Sequence, residues 1–169
     1  MDSYLRRLQQ AIASSTSGMT AEDLTRHPEG KWSCVQVLEH LYITYTGSAK
    51  GFERCLHEGK PLARSPTLND RMKTFVVTGL MHLPDGRKAP ERTHPRGLPA
   101  DEVLRKIGPQ IKTMDELITQ CEALFGKRTR VLDHPILGPL TARQWRKFHW
   151  VHGCHHIKQI RKLRETLIH

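Results

Sequence analysis

Residues 148 to 160, FHWVHGCHHIKQI, place His149, His152, His155 and His156 within eight positions of a stretch that otherwise has helical periodicity. Successive residues of an α-helix turn by about 100°, so His152 and His156 stand about 40° apart and one turn from each other. Both can reach one metal ion. Neutral imidazole nitrogen suits borderline divalent cations such as zinc and nickel, and an i, i+4 histidine pair is a common two-ligand device. His149 lies near the same angular stripe one turn earlier, whereas His155 points well off it and is the weakest ligand candidate.

A pair needs at least a third ligand to hold an ion firmly. The segment WSCVQVLEHL supplies His40, which sits between Leu38 and Leu41 at the edge of an apolar stripe. Facing inward, it is either the third ligand or a core histidine bonded to a backbone carbonyl. Glu39 points about 100° away from His40 and reads as a solvated surface carboxylate. Gln36, one turn before His40, and Gln159, three residues after His156, are placed either to orient a ligand or for ordinary polar packing. His134, just before Pro135, belongs either to a pocket rim or to a structural turn. Gly153 costs about 1 kcal/mol inside a helix, a cost that close packing beside a metal would offset. Cys154 lies about 160° from His156 and reads as core.

Four segments have the spacing to position these residues. SYLRRLQQAIASS, residues 3 to 15, carries Leu5, Leu8 and Ile12 at helical intervals. A second helix is predicted from an N-cap at Ser33 to a stop at Gly59, with Val37, Leu38, Leu41 and Tyr45 on one face. A third covers about 101 to 125, where Gly108 and Pro109 predict a kink or a later start. The fourth opens with a capping box, Thr141 and Gln144, and runs to about Thr166. Trp32 and Trp145 stand at the starts of the two histidine-bearing helices and are expected to anchor the ends of the core. Between Lys60 and Pro99 lies a proline-rich excursion with one short helix near TLNDRMKTFVVTG. No segment reads as a convincing strand. The expectation is an all-α protein, a bundle of four helices in a single domain over 1–169, with sites facing the bundle interior.

The formal charge is +10, from 27 Lys and Arg against 17 Asp and Glu. Such a surface attracts anions of any kind, so charge alone does not select a partner. Aromatic residues make up 6% and do not interleave with the basic runs RMK, GRKAPERTHPRG, GKRTR and IRKLRE, although the first three could converge on one face. Nucleic-acid stacking platforms are thus not expected; a solvated basic surface is the first reading, and a small, acidic substrate the second. Apolar runs are too short to cross a bilayer. The first residues, MDSYLRRLQQAIASS, lack the pattern of a secretory signal, which predicts a cytoplasmic protein. Cys34, Cys55, Cys121 and Cys154 are scattered without a CxxC pair, as expected of reduced thiols.

The order of Trp32-Ser33, then Glu39-His40-Leu41, then HPILGPLTARQW and HxxxHHxxQI resembles the DinB/YfiT-like superfamily of metal-dependent proteins, and within it a branch of uncharacterised bacterial members. The resemblance runs from about Gly30 to Ile160. It implies a four-helix bundle in which His40, His152 and His156 hold one divalent metal, zinc or nickel, with an open coordination position. Two reaction classes come with it: hydrolysis, and transfer or isomerisation using a low-molecular-weight thiol. A non-catalytic metal module is the alternative, and relatives often form homodimers. Many members carry Arg-Gly-Gln where this chain has Ile157-Lys158-Gln159. The long insertion over 60–99 also departs from the simplest members and is expected to cover or line the pocket.

Overall fold

The computed structural model describes residues 1–83 and 89–167. The Pro84 to Lys88 stretch of the basic GRK run lies outside the described residues. The chain is mostly helical, and three of the four long helices begin at a side-chain cap. Asp2 caps α1, Ser3–Thr16, by accepting from the Tyr4 N–H. Ser33 and Gln36 form a reciprocal capping box at the start of α3, Cys34–Glu58, and Gly59 ends it in the left-handed region at φ 63°. Between them the segment after α1 forms a short helix, α2, Ala21–Thr25, with its own Thr20/Asp23 box. A second short helix, α4, Leu68–Thr74, is capped by Thr67 and Asp70 and continues as one π-helical turn, Phe75–Gly79.

The third long helix, α5, is continuous over Ala100–Phe125. Pro109 neither starts nor divides it. Pro109 and Arg105, whose carbonyl loses its helical partner four residues on, both sit on the exposed face, where water can satisfy that carbonyl. The last helix, α6, spans Ala142–Leu167, and Thr141 and Gln144 exchange the two expected hydrogen bonds at its start.

Two strands correct the expectation of a wholly helical chain. Arg130–His134 (β1) pairs antiparallel with Gly138–Thr141 (β2) immediately before α6. The segments are short, and Pro135 lies in the turn between them, so neither shows the long alternation by which a strand is recognised. His134 closes this turn: its Nδ1 accepts from the N–H groups of Ile136 and Leu137 at 3.2 and 3.1 Å.

One continuous core joins the four long helices. Leu5, Leu8 and Ile12 of α1 meet Leu38, Leu41 and Phe52 of α3, Ile111, Met114 and Ile118 of α5, and Trp145 and Ile160 of α6. The closest partners are α3 with α5 and α1 with α6. Trp145 is buried and donates through Nε1 to the Leu132 carbonyl, tying α6 to the hairpin. Trp150 receives the Arg7 guanidinium over its ring at 4.5 Å, which links α6 to α1. Gly153 faces the same interface. A Cβ there would lie 2.2 Å from Leu8 Cδ1, so the missing side chain serves the contact of α6 with α1. Buried Arg146 bridges α6 to α5 through Asp115 and Glu122. All four cysteines are free thiols.

Candidate metal centre

The apolar stripe of α3 turns His40 inward until it is 3% exposed, and α6 brings His152 and His156 to the same point. The Nε2 atoms converge: His152 to His40 at 3.3 Å, and His152 to His156 at 3.1 Å. All three nitrogens lie within 4.8 Å of one another, so the cluster could hold a metal ion.

The outer nitrogens decide what the inner ones present. His40 Nδ1 lies 2.8 Å from the Thr93 carbonyl, which can only accept, so Nδ1 carries the proton and Nε2 turns a bare lone pair to the centre. His156 Nδ1 donates in the same way to Gln159 Oε1 at 2.8 Å, while the Gln159 amide nitrogen donates to His155 Nε2 at 3.1 Å. His152 stands between them with a buried Nδ1 that has no partner. Two lone pairs and a third imidazole nitrogen thus point at one spot. Zinc–nitrogen bonds of about 2.0–2.1 Å in a tetrahedral arrangement set ligand nitrogens about 3.3–3.4 Å apart, close to the spacing seen here. The residues present fit a single divalent ion.

Electrostatics favour the ligating form. Burial pushes His40 and His152 below the ordinary histidine value and takes His156 down to about 3. Metal ligation requires the neutral imidazole, and these side chains are held neutral without any acidic neighbour.

The end of the insertion, Thr93 and residues 96–98, is fastened to α3 beside this point. Glu39 is 1% exposed, which corrects its reading as a solvated carboxylate. Its Oε1 accepts from the Arg96 N–H at 2.8 Å and its Oε2 from Gly97 and Leu98 at 3.0 and 3.2 Å. Glu39 therefore fastens residues 96–98, and His40 fastens Thr93. Trp32 lies against both His40 and His94, with ring centroids 5.3 and 5.7 Å away. Helical angle alone could not reveal this role for Glu39, because the strand of chain that covers it comes from more than fifty residues downstream.

Of the other candidates, Gln159 joins the cluster directly. Gln36 does not: its carbonyl oxygen is engaged in the α3 cap by the Ser33 N–H. His134 serves the hairpin turn and packs on Phe148 and Trp145. His149 is wholly buried among Tyr45, Trp145 and Phe148, and both its ring nitrogens lack partners. It flanks the cluster without belonging to it.

Fold and site together define a mostly helical protein with a largely buried three-histidine cluster able to hold a metal ion. Residues 5–163 match the family described as "Protein of unknown function (DUF1569)", and the chain belongs to that family. No curated protein and no solved structure matches it significantly. No helix among the described residues is long and apolar enough to cross a membrane.

Proposed function

We propose that this protein is a metal-dependent enzyme of the DinB/YfiT-like type, in which His40, His152 and His156 bind one zinc or nickel ion. The four long helices are read as the bundle of that superfamily, in a single cytoplasmic domain that pairs as a homodimer. The observation that carries the metal is the inward convergence of three Nε2 atoms at 3.1 and 3.3 Å, with the Nδ1 protons of His40 and His156 fixed outward by Thr93 and Gln159.

An ion held by neutral imidazoles keeps its full double charge and supplies a Lewis acid that acidifies a water or a thiol near neutral pH. The chain's own groups do the rest. Thr93 and Gln159 fix ring orientation, which raises ligand basicity and keeps each lone pair on target. Thr93 and residues 96–98, fastened to His40 and Glu39, flank the site on the α3 side. No Ser or Cys nucleophile is required, and the reaction classes that fit are hydrolysis of a small molecule, anionic on charge grounds, or transfer of a low-molecular-weight thiol to an electrophile.

The test is turnover by metal-loaded protein on panels of esters, amides and thiol-accepting electrophiles, before and after chelation. Activity abolished by chelator and restored by zinc or nickel supports the enzyme. Full metal occupancy without turnover on any panel favours a non-catalytic metal module instead.

A further inference from the structure

A concave site lies apart from the histidines. It is a cleft of about 440 Å³ between α4 with its π-helical turn on one side and β2 with the start of α6 on the other. Arg71, Arg130, Arg143 and Lys147 line it. Two of the basic runs seen in the sequence, RMK and GKRTR, do converge here.

The carboxylate beside these cations is already committed. Asp70 accepts both guanidinium nitrogens of Arg64, at 2.6 and 3.0 Å, and also the Thr67 N–H and hydroxyl. Its place is built in: Gly138 packs so closely that a Cβ would fall 2.5 Å from Asp70 Oδ1, and the φ of 74° at Gly138 suits glycine. Among the described residues Arg71, Arg130, Arg143 and Lys147 form no ion pair, and Lys147 has only the Thr78 carbonyl at 3.3 Å. Four cations thus face one cleft without a counter-charge of their own. The first turn of α6, a helix of 26 residues, opens on the same space through Arg143 and Gln144 and adds its positive dipole end. Phe75, 61% exposed, supplies an apolar wall together with Pro66 and Pro139.

We propose that this cleft binds a small organic phosphate monoester, its dianionic head among Arg71, Arg130, Arg143 and Lys147 and its apolar substituent against Phe75. Guanidinium groups match phosphate oxygens in a forked geometry, and four of these cations exceed what a monocarboxylate would call for. The volume falls in the range of small-molecule sites, about 300–1,000 Å³. A nucleic-acid backbone is disfavoured because Phe75 is the one aromatic side chain among the residues lining the cleft, too few for a run of stacked bases.

The experiment is calorimetric titration of the full chain with phenyl phosphate at constant ionic strength, with phenol and a single-stranded oligonucleotide in parallel. One phenyl phosphate per chain is expected, with no binding of phenol. Affinity should fall about tenfold or more in Arg130→Gln/Arg143→Gln and severalfold in Arg71→Gln, whose exposed side chain carries no structural bond. Chelator-treated wild type should bind equally well, which separates this site from the histidine cluster. The proposal is overturned by unsaturable binding in the wild type, by unchanged affinity in the Arg71 variant and the double variant, by loss on chelation, or by an oligonucleotide that binds more tightly and displaces phenyl phosphate.

Discussion

His40 donates its Nδ1 proton to the Thr93 carbonyl at 2.8 Å, so an insertion residue sets the tautomer of a candidate ligand on α3. The two readings of His40 that the sequence leaves open, core histidine and metal ligand, are met by its two nitrogens. Glu39 completes the attachment by holding the amides of residues 96–98. Glu39→Gln should keep the fold but weaken three charge-assisted bonds, with a loss of about 1–3 kcal/mol. Hydrogen exchange at Arg96, Gly97 and Leu98 should accelerate more than at the α3 or α5 amides. Equal exchange in wild type and variant would contradict the clamp.

Gln159 tests the other outer contact. Its side chain is exposed, so Gln159→Ala should leave thermal stability nearly unchanged while removing the acceptor of the His156 Nδ1 proton. Loss of such an outer partner typically costs about 10–100-fold in metal affinity. Chelator competition with zinc measures it, and an unchanged affinity would remove Gln159 from the site.

Gly153 separates packing from metal binding. Gly153→Ala drives a methyl into Leu8 and should destabilise the protein by about 1–3 kcal/mol in urea unfolding, with metal content preserved. Leu8→Ala opens the opposing space, so the double variant should lose less than the sum of the two single losses. Strict additivity would show that the glycine serves something other than the α1–α6 contact.

The site was legible where chemistry is local and obscure where it depends on distant chain. Helical spacing joined His152 to His156, and an apolar stripe turned His40 toward them. Ser33, Gly59 and the Thr141–Gln144 pair marked helix ends because caps act within three or four residues. By contrast, helical angle misleads for Glu39 and Gly153 because their partners, residues 96–98 and Leu8, are remote in sequence. The β1–β2 hairpin is too short to show alternation, and Pro109 is tolerated because it lies on the face of α5 that meets water, which the sequence alone does not show. The histidine crowding resolves into two ligand candidates, His152 and His156, a core residue, His149, and His155, which Gln159 ties to the cluster's edge.

Acid should unfold the protein readily, and the sign follows from burial. Burial takes His149 down to about 3 and His134 to about 4, whereas an unfolded histidine titrates near about 6.5. Between those values the unfolded chain binds more protons, so stability is full above pH 6.5 and is lost as pH falls toward 4. Each such histidine contributes a slope of up to about 1.4 kcal/mol per pH unit in that window. His149→Phe should flatten the loss, since it replaces a buried ring with two unpartnered nitrogens by an apolar one of similar size. Urea melts of chelator-treated protein at pH 7.5, 6 and 5 read this slope, and identical slopes in wild type and variant would contradict it.

Three imidazoles sharing one ion would give the protein a fixed metal content. Elemental analysis of tag-free protein, with His40→Ala and His152→Ala purified alongside, tests it most directly. About one zinc or nickel per wild-type chain is expected, with loss of that metal in both variants and far-ultraviolet circular dichroism showing that they remain helical. A folded wild type that carries neither metal and takes up neither when they are added would contradict it.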